Sequence, residues 1–325
     1  MNRGEFLRQA GAVMAVLAGL PAARAQKYPG GPIRLIVPFP PGGGTDILAR
    51  IVTQAITESR GWTFVIDNKP GAGGTLGIDQ LVRAAPDGLT FGVGQTANLA
   101  VAPSLYTKLP YQPAVNLAPV AAIATQPNVL VVRAESPYKS FAEFISAARS
   151  AKSSLTLGSP GTGTIGHLAG EMLARRAGFK ILHVPYKGTG PALTDAISGQ
   201  LDFVLTTPPG VMALLKAGKL RALAVTSTRR LAALPSVPTV AESGFEGFVA
   251  EDWKALVAPA GTPAPMLATL NEAMNEALQN KALAAKLEAE GSAAMGGTGA
   301  ELAALMKTEI DRWGEAVRVS GAKAE

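Results

Sequence analysis

Three glycine-rich loops contain the residue types that can hold an anion. The first spans residues 39–46, FPPGGGTD, and joins the apolar run Ile33–Val37 to a helical pattern. Residues 159–164, SPGTGT, and residues 186–191, YKGTGP, also follow a strand pattern and precede a helical one. Backbone N–H groups at a helix start are unpaired and carry partial positive charge. Each loop therefore predicts an anion site, with a plain tight turn as the alternative for the first loop.

The loops match neither common nucleotide-binding motif. A P-loop needs a lysine after its glycines, and no lysine follows Gly44. The dinucleotide motif spaces its glycines as G-x-G-x-x-G, whereas the glycines here are adjacent and follow Pro41. Two helix N-termini that face one cleft, with no nearby metal or lysine, suit a carboxylate better than a polyphosphate. We expect Asp46, at the helix start, to act as a cap rather than a catalyst.

The sequence lacks the usual sets of catalytic residues. It contains no cysteine, no G-x-S-x-G motif and no H-E-x-x-H motif. His167 and His183 are sixteen residues apart, and His167 falls inside a predicted helix, where a structural role is expected. Trp253, after Asp252, is expected in the core or at a hinge, with the floor of a cleft as the alternative. An exported enzyme is the rival hypothesis from another class of protein.

Strand and helix patterns alternate along most of the chain, and the last third is helical. The repeated β-turn-α units predict parallel sheets with helices on both faces. Two strand-rich segments, 118–133 and 220–258, lack long intervening helices and predict two crossings between two doubly wound lobes. The C-terminal helices would then return to the first lobe. Ligands of such α/β sheets bind beyond the carboxyl ends of the strands, where the three loops are placed.

Composition and charge restrict the class of protein. With 325 residues, of which 47% are hydrophobic, the chain can form one large domain or two smaller ones and is not disordered. The net charge of +6 is spread along the chain rather than clustered with aromatic residues. This distribution argues against nucleic-acid binding and suits an anionic ligand.

Residues 1–25 have the pattern of an export signal. Arg3 and Arg8 form a basic start, and residues 10–20 are apolar but too few to span a bilayer. The small-residue motif at 23–25 predicts cleavage after Ala25. We therefore expect a periplasmic protein with no stable membrane insertion, and both Sec and Tat export stay open.

Many segments occur in the order found in a known family. They include VPFPPGGGTDILAR, NKPGAGGTLG, AAPDG, NVLVV, GTGTIGHLAGE, VPYKGTGPALTD, GQLDF, AGKLRALAVTS, LPSVPTVAESG and APAGTP. The chain thus resembles the Bug (TctC-type) substrate-binding proteins of tripartite tricarboxylate transporters over about residues 28–319. The resemblance implies an α/β fold of two Rossmann-like lobes, the type II periplasmic-binding-protein architecture. It places residues 26–124 plus 249–325 in lobe 1 and residues 125–248 in lobe 2, joined by two crossover strands.

The resemblance also implies a ligand class and partners. The ligands would be small carboxylates, namely di- or tricarboxylates, acidic amino acids or aromatic acids, and the protein would be a receptor rather than an enzyme. It would deliver its ligand to the membrane subunits of a tripartite tricarboxylate-type transporter. We expect no cofactor, no metal and no nucleic-acid partner, and a monomer. A ligand sensor that partners a two-component sensor kinase is the alternative within the family.

The candidate ligand-binding residues lie in the loops around the implied cleft. They are Phe39, Pro41, Gly42, Gly43, Gly44, Thr45, Asp46, Thr96, Asn98, Ser159, Gly161, Thr162, Gly163, Thr164, His167, Tyr186, Lys187, Gly188, Thr206, Thr207, Asp252 and Trp253. Two departures from the family pattern concern the far end of the ligand. Thr206 and Thr207 stand where the family often has an acid, and Lys254 stands where it usually has a small or aromatic residue. If these side chains face the cleft, the changes favour a more anionic ligand.

Overall fold

The computed structural model describes residues 28–320 and residue 322. The predicted export signal, residues 1–25, lies outside the described residues. Within the described part, the chain forms two β-sheets flanked by helices, with a small cavity between them.

Six strands form the first sheet. They are β1 (Ile33–Val37), β2 (Phe64–Asn68), β3 (Thr90–Gln95), β4 (Leu117–Pro127), β10 (Glu251–Pro259) and β11 (Ala293–Gly296). Their spatial order is β11-β4-β10-β3-β1-β2. Strand β1 pairs in parallel with β2 and β3, whereas β10 is antiparallel to β3 and β4, and β11 is antiparallel to β4. We call this sheet and its helices the first lobe.

The helices of the first lobe come from both ends of the chain. They are α1 (Gly44–Arg60), α2 (Thr75–Val82), α3 (Ala102–Leu105), α4 (Pro113–Asn116), α9 (Ala264–Gln279), α10 (Lys281–Ala289) and α11 (Gly299–Ser320). A 3₁₀ turn, Ala72–Gly74, and a π-helical turn, Ala97–Val101, complete the lobe. Helix α1 buries an apolar face with Leu48, Val52 and Ile56, because these residues recur at helical spacing on one side.

Five strands form the second sheet. They are β5 (Val129–Arg133), β6 (Leu155–Ser159), β7 (Ile181–Pro185), β8 (Phe203–Thr206) and β9 (Leu220–Val225), in the order β7-β6-β8-β5-β9. Helices α5 (Phe141–Ser150), α6 (Ile165–Ala177), α7 (Thr189–Ser198) and α8 (Met212–Lys216) and a 3₁₀ turn, Pro208–Gly210, belong to it. We call this sheet and its helices the second lobe. Phe144 is fully buried in its core and packs edge-on against Phe179 and Phe203.

The chain crosses between the lobes twice, and the two crossings lie side by side. Asn128 alone separates β4 from β5, and the return runs from Thr226 to Ala250. Asn128 N donates to Thr226 Oγ1 at 2.8 Å, and Thr226 N donates to the Asn128 carbonyl at 2.9 Å. Ala250 N in turn donates to the Thr226 carbonyl at 3.0 Å. These bonds join the two crossings into one hinge.

Each sheet contains the predicted parallel pairs but is mixed, because it also contains antiparallel pairs. The strands next to the hinge run against their neighbours: β10 opposes β3 and β4, and β5 opposes β8 and β9. A strand that enters from the other lobe starts at the hinge end of the sheet, which fixes its direction. Strand β11 was not predicted, because AAMG is short and three of its four residues are exposed.

The two crossings between the lobes fall near the predicted domain boundaries, and those boundaries remain a prediction. The helical C-terminal segment packs on the first lobe, and α11 also touches α6 of the second. Within residues 28–320, no helix has both the length and the apolarity that crossing a bilayer would take.

Candidate functional site

A cavity of about 20 Å³ lies between the lobes, enough space for about one water molecule. Both lobes and the first crossing, at Asn128, supply its wall. The lining residues are Phe39, Gly43, Gly44, Thr45, Gln95, Asn128, Pro160, Thr164, Ile165, Gly166, Thr189, Thr206, Thr207 and Asp252. None of these lining residues is a lysine or an arginine, and Asp252 is the one carboxylate among them.

Helix α1 begins at this cavity without a side-chain cap. Its N-cap residue is Gly43, which has an extended backbone and no side chain to accept from the helix. The N–H groups of Gly44 and Thr45 have no acceptor within the helix, because the first turn of a helix has none. Gly44 and Thr45 both line the cavity, and unpaired N–H groups of this kind can bind an anion.

Asp46 organises the first loop from behind the cavity. Its Oδ2 accepts from Gly42 N at 3.0 Å and from Arg50 Nε at 2.9 Å, and its Oδ1 accepts from Asn68 Nδ2 at 2.9 Å. Burial alone would raise the pKa of Asp46, but the hydrogen bonds from Arg50, Asn68 and Gly42 outweigh it and lower the pKa below its usual value. Both carboxylate oxygens are thus engaged within the first lobe.

Helix α6 begins at the cavity from the other lobe. Its N-cap residue, Thr164, directs its hydroxyl to the Gly161 carbonyl at 2.7 Å instead of capping the helix. Ile165 and Gly166 line the cavity, and the N–H groups of this first helical turn have no intrahelical acceptor. Gly166 has to be glycine, because a Cβ atom there would overlap the Leu205 carbonyl.

The two histidines support the second-lobe loop and do not line the cavity. His167 Nδ1 accepts from Gly163 N at 3.2 Å, which requires an unprotonated nitrogen. The His167 and His183 rings stack with centroids 3.7 Å apart, and His183 Nε2 lies 2.7 Å from Ser159 Oγ. Burial, and secondarily the neighbouring His167, lowers the pKa of His183 to about 3. The structural role expected for His167 fits this geometry.

Hydroxyl groups complete the polar lining. Thr45 Oγ1 donates to Gln95 Oε1 at 2.6 Å in the first lobe. In the second lobe, the hydroxyls of Thr189 and Thr206 lie 3.0 Å apart. These short hydrogen bonds fix the side chains that face the cavity.

Lys254 is fully buried and does not line the cavity. Its Nζ donates to Gln126 Oε1 at 2.5 Å and to Asp252 Oδ2 at 2.9 Å, and Gln126 Nε2 donates to Ser292 Oγ at 2.7 Å. The charge of Lys254 is therefore paired with Asp252. The condition for the hypothesis of a more anionic ligand, side chains that face the cleft, is not met by Lys254, whereas Thr206 and Thr207 do line the cavity.

Trp253 points away from the cavity, as a core residue does. Strand neighbours alternate between faces, so Trp253 lies opposite to Asp252 and Lys254. Its Nε1 donates to Glu309 Oε2 of α11 at 3.1 Å. Its backbone N donates to Thr96 Oγ1 at 2.9 Å, which ties Thr96 to β10. Of the two alternatives for Trp253, the core position is the one observed.

Loops of the two lobes touch at the cleft. A Cβ atom at Gly44 would overlap Thr207 Oγ1, and one at Gly188 would overlap the Pro40 ring. A Cβ atom at Gly73 would lie 2.5 Å from the Thr162 carbonyl. Glycine at these positions permits the lobes to approach closely, and the structure is that of a closed cleft.

The structure brings only some of the predicted site residues to the cavity. Those that line it are Phe39, Gly43, Gly44, Thr45, Thr164, Thr206, Thr207 and Asp252. Those that do not are Pro41, Gly42, Asp46, Thr96, Asn98, Ser159, Gly161, Thr162, Gly163, His167, Tyr186, Lys187, Gly188 and Trp253. The ligand-binding role of both groups stays a prediction.

Sequence reasoning missed Asn128 and gave no specific role to Gln95 or to Thr189, although Thr189 lies in the predicted loop 186–191. A polar residue between two apolar strands, as in QPNVLVV, was the available signal for Asn128. Among the described residues, three buried side-chain atoms have no hydrogen-bond partner: Asn98 Nδ2, Asn128 Nδ2 and Asp252 Oδ1. The last two belong to the cavity wall. Residues 28–320 contain no group of three or more His, Asp or Glu placed to hold a metal ion.

Known proteins similar to this chain are solute-binding proteins. A sequence profile of the tripartite tricarboxylate transporter family receptors matches residues 48–321. Protein BugT of Bordetella pertussis is 36% identical over 324 residues, which cover 99% of each chain. A solved R. palustris protein with adipate is 34% identical with a TM-score of 0.88, over 91% of this chain and 99% of that one. MatC from Rhodopseudomonas palustris with bound malate is 34% identical with a TM-score of 0.83, over 89% of this chain and 100% of MatC.

Proposed function

The chain belongs to the tripartite tricarboxylate transporter family receptors, and on this premise we propose that it binds a small carboxylate between its lobes for uptake by a transporter of that type. Membership confirms the predicted family and the two-lobed fold of the type II periplasmic binding proteins. It also confirms a solute-binding receptor rather than an enzyme.

The proposal rests on one observation, the two uncapped helix starts at a single cavity. Helices α1 and α6 come from different lobes, and neither Gly43 nor Thr164 caps its helix with a side chain. A carboxylate is small enough to accept from both helix starts at once and needs no metal. A polyphosphate would call for lysine or arginine, which the cavity wall lacks.

The ligands of solved relatives support the same class. Adipate and malate, which two of those structures contain, are both dicarboxylates. In this chain a dicarboxylate would use the helix starts for one carboxylate and the hydroxyl and amide groups of the wall for the remainder. Such a ligand needs more space than the cavity of about 20 Å³, so the lobes have to open slightly around it.

Closure is the proposed mechanism. Because α1 and α6 belong to different lobes, an anion that contacts both stabilises the closed arrangement over an open one. The hinge at Asn128 and Thr226 allows the lobes to rotate while each sheet stays intact. We propose that residues 1–25 direct export and that the closed, loaded receptor docks on the membrane subunits of its transporter.

The proposal is tested by calorimetry and thermal shift on purified protein freed of ligand by unfolding and refolding. The probes are succinate, adipate, malate, citrate, inorganic phosphate, a nucleotide and a sugar. We expect a carboxylate to bind, and at a hundred times its Kd to stabilise the protein by about 2.7 kcal/mol. Binding of only phosphate, nucleotide or sugar would contradict the proposal.

A charge variant tests the helix start directly. Gly43 has backbone angles that any residue adopts, and a Cβ atom there would lie 3.5 Å from the Pro40 carbonyl. In Gly43→Asp, the new carboxylate would accept from the helix start and repel the ligand, so we expect lost binding with unchanged or higher stability. Gly190→Asp is the matched control, since Gly190 is exposed in the first turn of α7 with open space around it.

A further inference from the structure

We infer that the ligand of this receptor carries, beside its carboxylate, a hydroxyl or ammonium group that donates a hydrogen bond to Asp252. This inference rests on the proposed function and narrows its ligand class to hydroxy acids or amino acids. It is carried by two buried side chains at the cavity wall, Asp252 and Asn128, each with an atom that has no hydrogen-bond partner.

Asp252 lines the cavity and has an unused acceptor. Its side chain is only 6% exposed, and its Oδ2 accepts from Lys254 Nζ at 2.9 Å. Its Oδ1 is buried and has no partner. A buried carboxylate oxygen without a donor is costly, because it has lost water and gained nothing in exchange. A ligand group in the cavity is the donor that would satisfy it.

The neighbours of Asp252 prevent it from finding another donor. Lys254 is fully buried and held by both Asp252 and Gln126. Gln126 lies directly opposite Asp252 in the β4–β10 pair and is itself fixed by Ser292. One carboxylate oxygen is therefore committed to Lys254, and the other is left at the cavity wall.

The pairing with Lys254 also makes Asp252 compatible with an anionic ligand. An isolated aspartate would repel a carboxylate in the same small cavity, whereas the Asp252–Lys254 pair is neutral as a unit. A ligand carboxylate still cannot satisfy Oδ1, because it has no proton to donate. A hydroxyl or an ammonium group on the same ligand can do so.

Asn128 supplies the complementary donor. Its side-chain Nδ2 is buried without a partner, and the residue is only 1% exposed. Its N–H groups suit a carboxylate oxygen, as do the helix starts at Gly44 and Ile165. The residues of the cavity wall thus offer several donors and, at Asp252 Oδ1, a buried acceptor without a partner, which matches an acid bearing a donor group rather than a plain dicarboxylate.

The test compares ligands that differ only in that group. Calorimetry on purified protein uses succinate, malate and aspartate, then glutarate, 2-hydroxyglutarate and glutamate, and finally propionate, lactate and alanine. One of these three series has the chain length that fits the cavity. In that series, we expect the hydroxy or amino acid to bind at least about tenfold more tightly than the unsubstituted acid. The hydroxy and amino arms distinguish the two kinds of donor.

Removing the ion pair as a unit tests whether Asp252 is responsible. In Asp252→Ala/Lys254→Met, no buried charge is left unpaired, and we expect the preference to fall below about threefold while the unsubstituted acid still binds. The matched control is Glu315→Ala/Arg318→Met, which removes an exposed pair on α11. The control should keep the preference of the unchanged protein.

The outcomes separate this inference from the proposed function. If the unsubstituted acids bind as tightly as their hydroxy and amino counterparts, the inference is overturned and carboxylate binding stands. If the preference persists without Asp252 and Lys254, the assignment to Asp252 is overturned. If no acid of any series binds, the proposed function fails and the inference fails with it.

Discussion

Replacing Gly44 by alanine should weaken ligand binding without harming either lobe. Gly44 is the first residue of α1, and its φ is not in the left-handed region, so alanine fits the backbone. The three atoms nearest to a Cβ atom there all belong to the second lobe: Thr207 Oγ1, which it would overlap, Thr207 Cβ at 3.4 Å and Gly210 N at 3.8 Å. The added methyl group therefore collides only when the cleft is closed.

The size of the effect follows from overpacking. An extra methyl group in a packed contact costs about 1–3 kcal/mol, and each 1.4 kcal/mol is tenfold in affinity. We expect the Kd for malate, or for whichever acid binds best, to rise by between about fivefold and a hundredfold. The melting temperature of the ligand-free protein should hold or rise, because alanine in a helix is favoured over glycine by about 0.5–1 kcal/mol.

Calorimetry and thermal unfolding measure the two quantities on the same samples. Gly190→Ala is the control, since a Cβ atom at Gly190 meets nothing within 4 Å. Gly44→Ala/Thr207→Ala should recover part of the affinity, because it removes the hydroxyl that the new methyl group meets. A Kd for Gly44→Ala within about twofold of the unchanged protein would refute the reasoning that this contact forms on closure.

Three further predictions concern stability. The pKa of Asp46 is lowered from its usual value of 3.8, so its carboxylate stabilises the fold above that pH, and this stabilisation is lost as the pH falls through the folded-state pKa. The difference in unfolding free energy between the unchanged protein and Asp46→Asn should therefore shrink below about pH 4. His183, with a pKa of about 3, stays neutral in the fold while the unfolded chain takes up a proton below pH 6.5. Relative to His183→Gln, the unchanged protein should lose at most about 2 kcal/mol of unfolding free energy from pH 7 to pH 5, measured by denaturant unfolding. A difference in unfolding free energy between the two proteins that does not change with pH would contradict this. Lys254→Met alone leaves Asp252 buried and unpaired and should cost about 3–5 kcal/mol in denaturant unfolding, with the added change Asp252→Ala recovering most of it.

Local sequence patterns predicted most of the fold. Strand β1 and helix α1 follow from an apolar run, a glycine-rich turn and helical spacing, all within about thirty residues. The uncapped start at Gly43 follows from the same local chemistry, since glycine has no side chain to cap a helix. Thr164 is a residue type that commonly caps a helix, so its uncapped state is known only from the structure. Family motifs then extended this local reading to the whole chain.

The composition of the cavity wall required the tertiary structure. Asn128 reaches the cavity because a single residue joins two strands of different sheets, and no local pattern marks that residue as facing inward. Loop residues that do not line the cavity, such as Asp46 and His167, are polar, as are many of the residues that do line it. Only their hydrogen bonds, to Arg50 and Gly163 for example, show that they support the loops.

The sequence by itself determined the family and most of the order of strands and helices, and it predicted helix starts after the glycine-rich loops, because these depend on neighbours in the chain. Strand alternation alone places Asp252 and Lys254 on one face and Trp253 on the other. Only the tertiary structure decided that Gln126 lies opposite Asp252 and that Lys254 is fully buried and pairs with it, leaving one carboxylate oxygen at the cavity. The register of β4 against β10 sets these contacts between residues more than a hundred positions apart, and register arises from packing of the whole sheet.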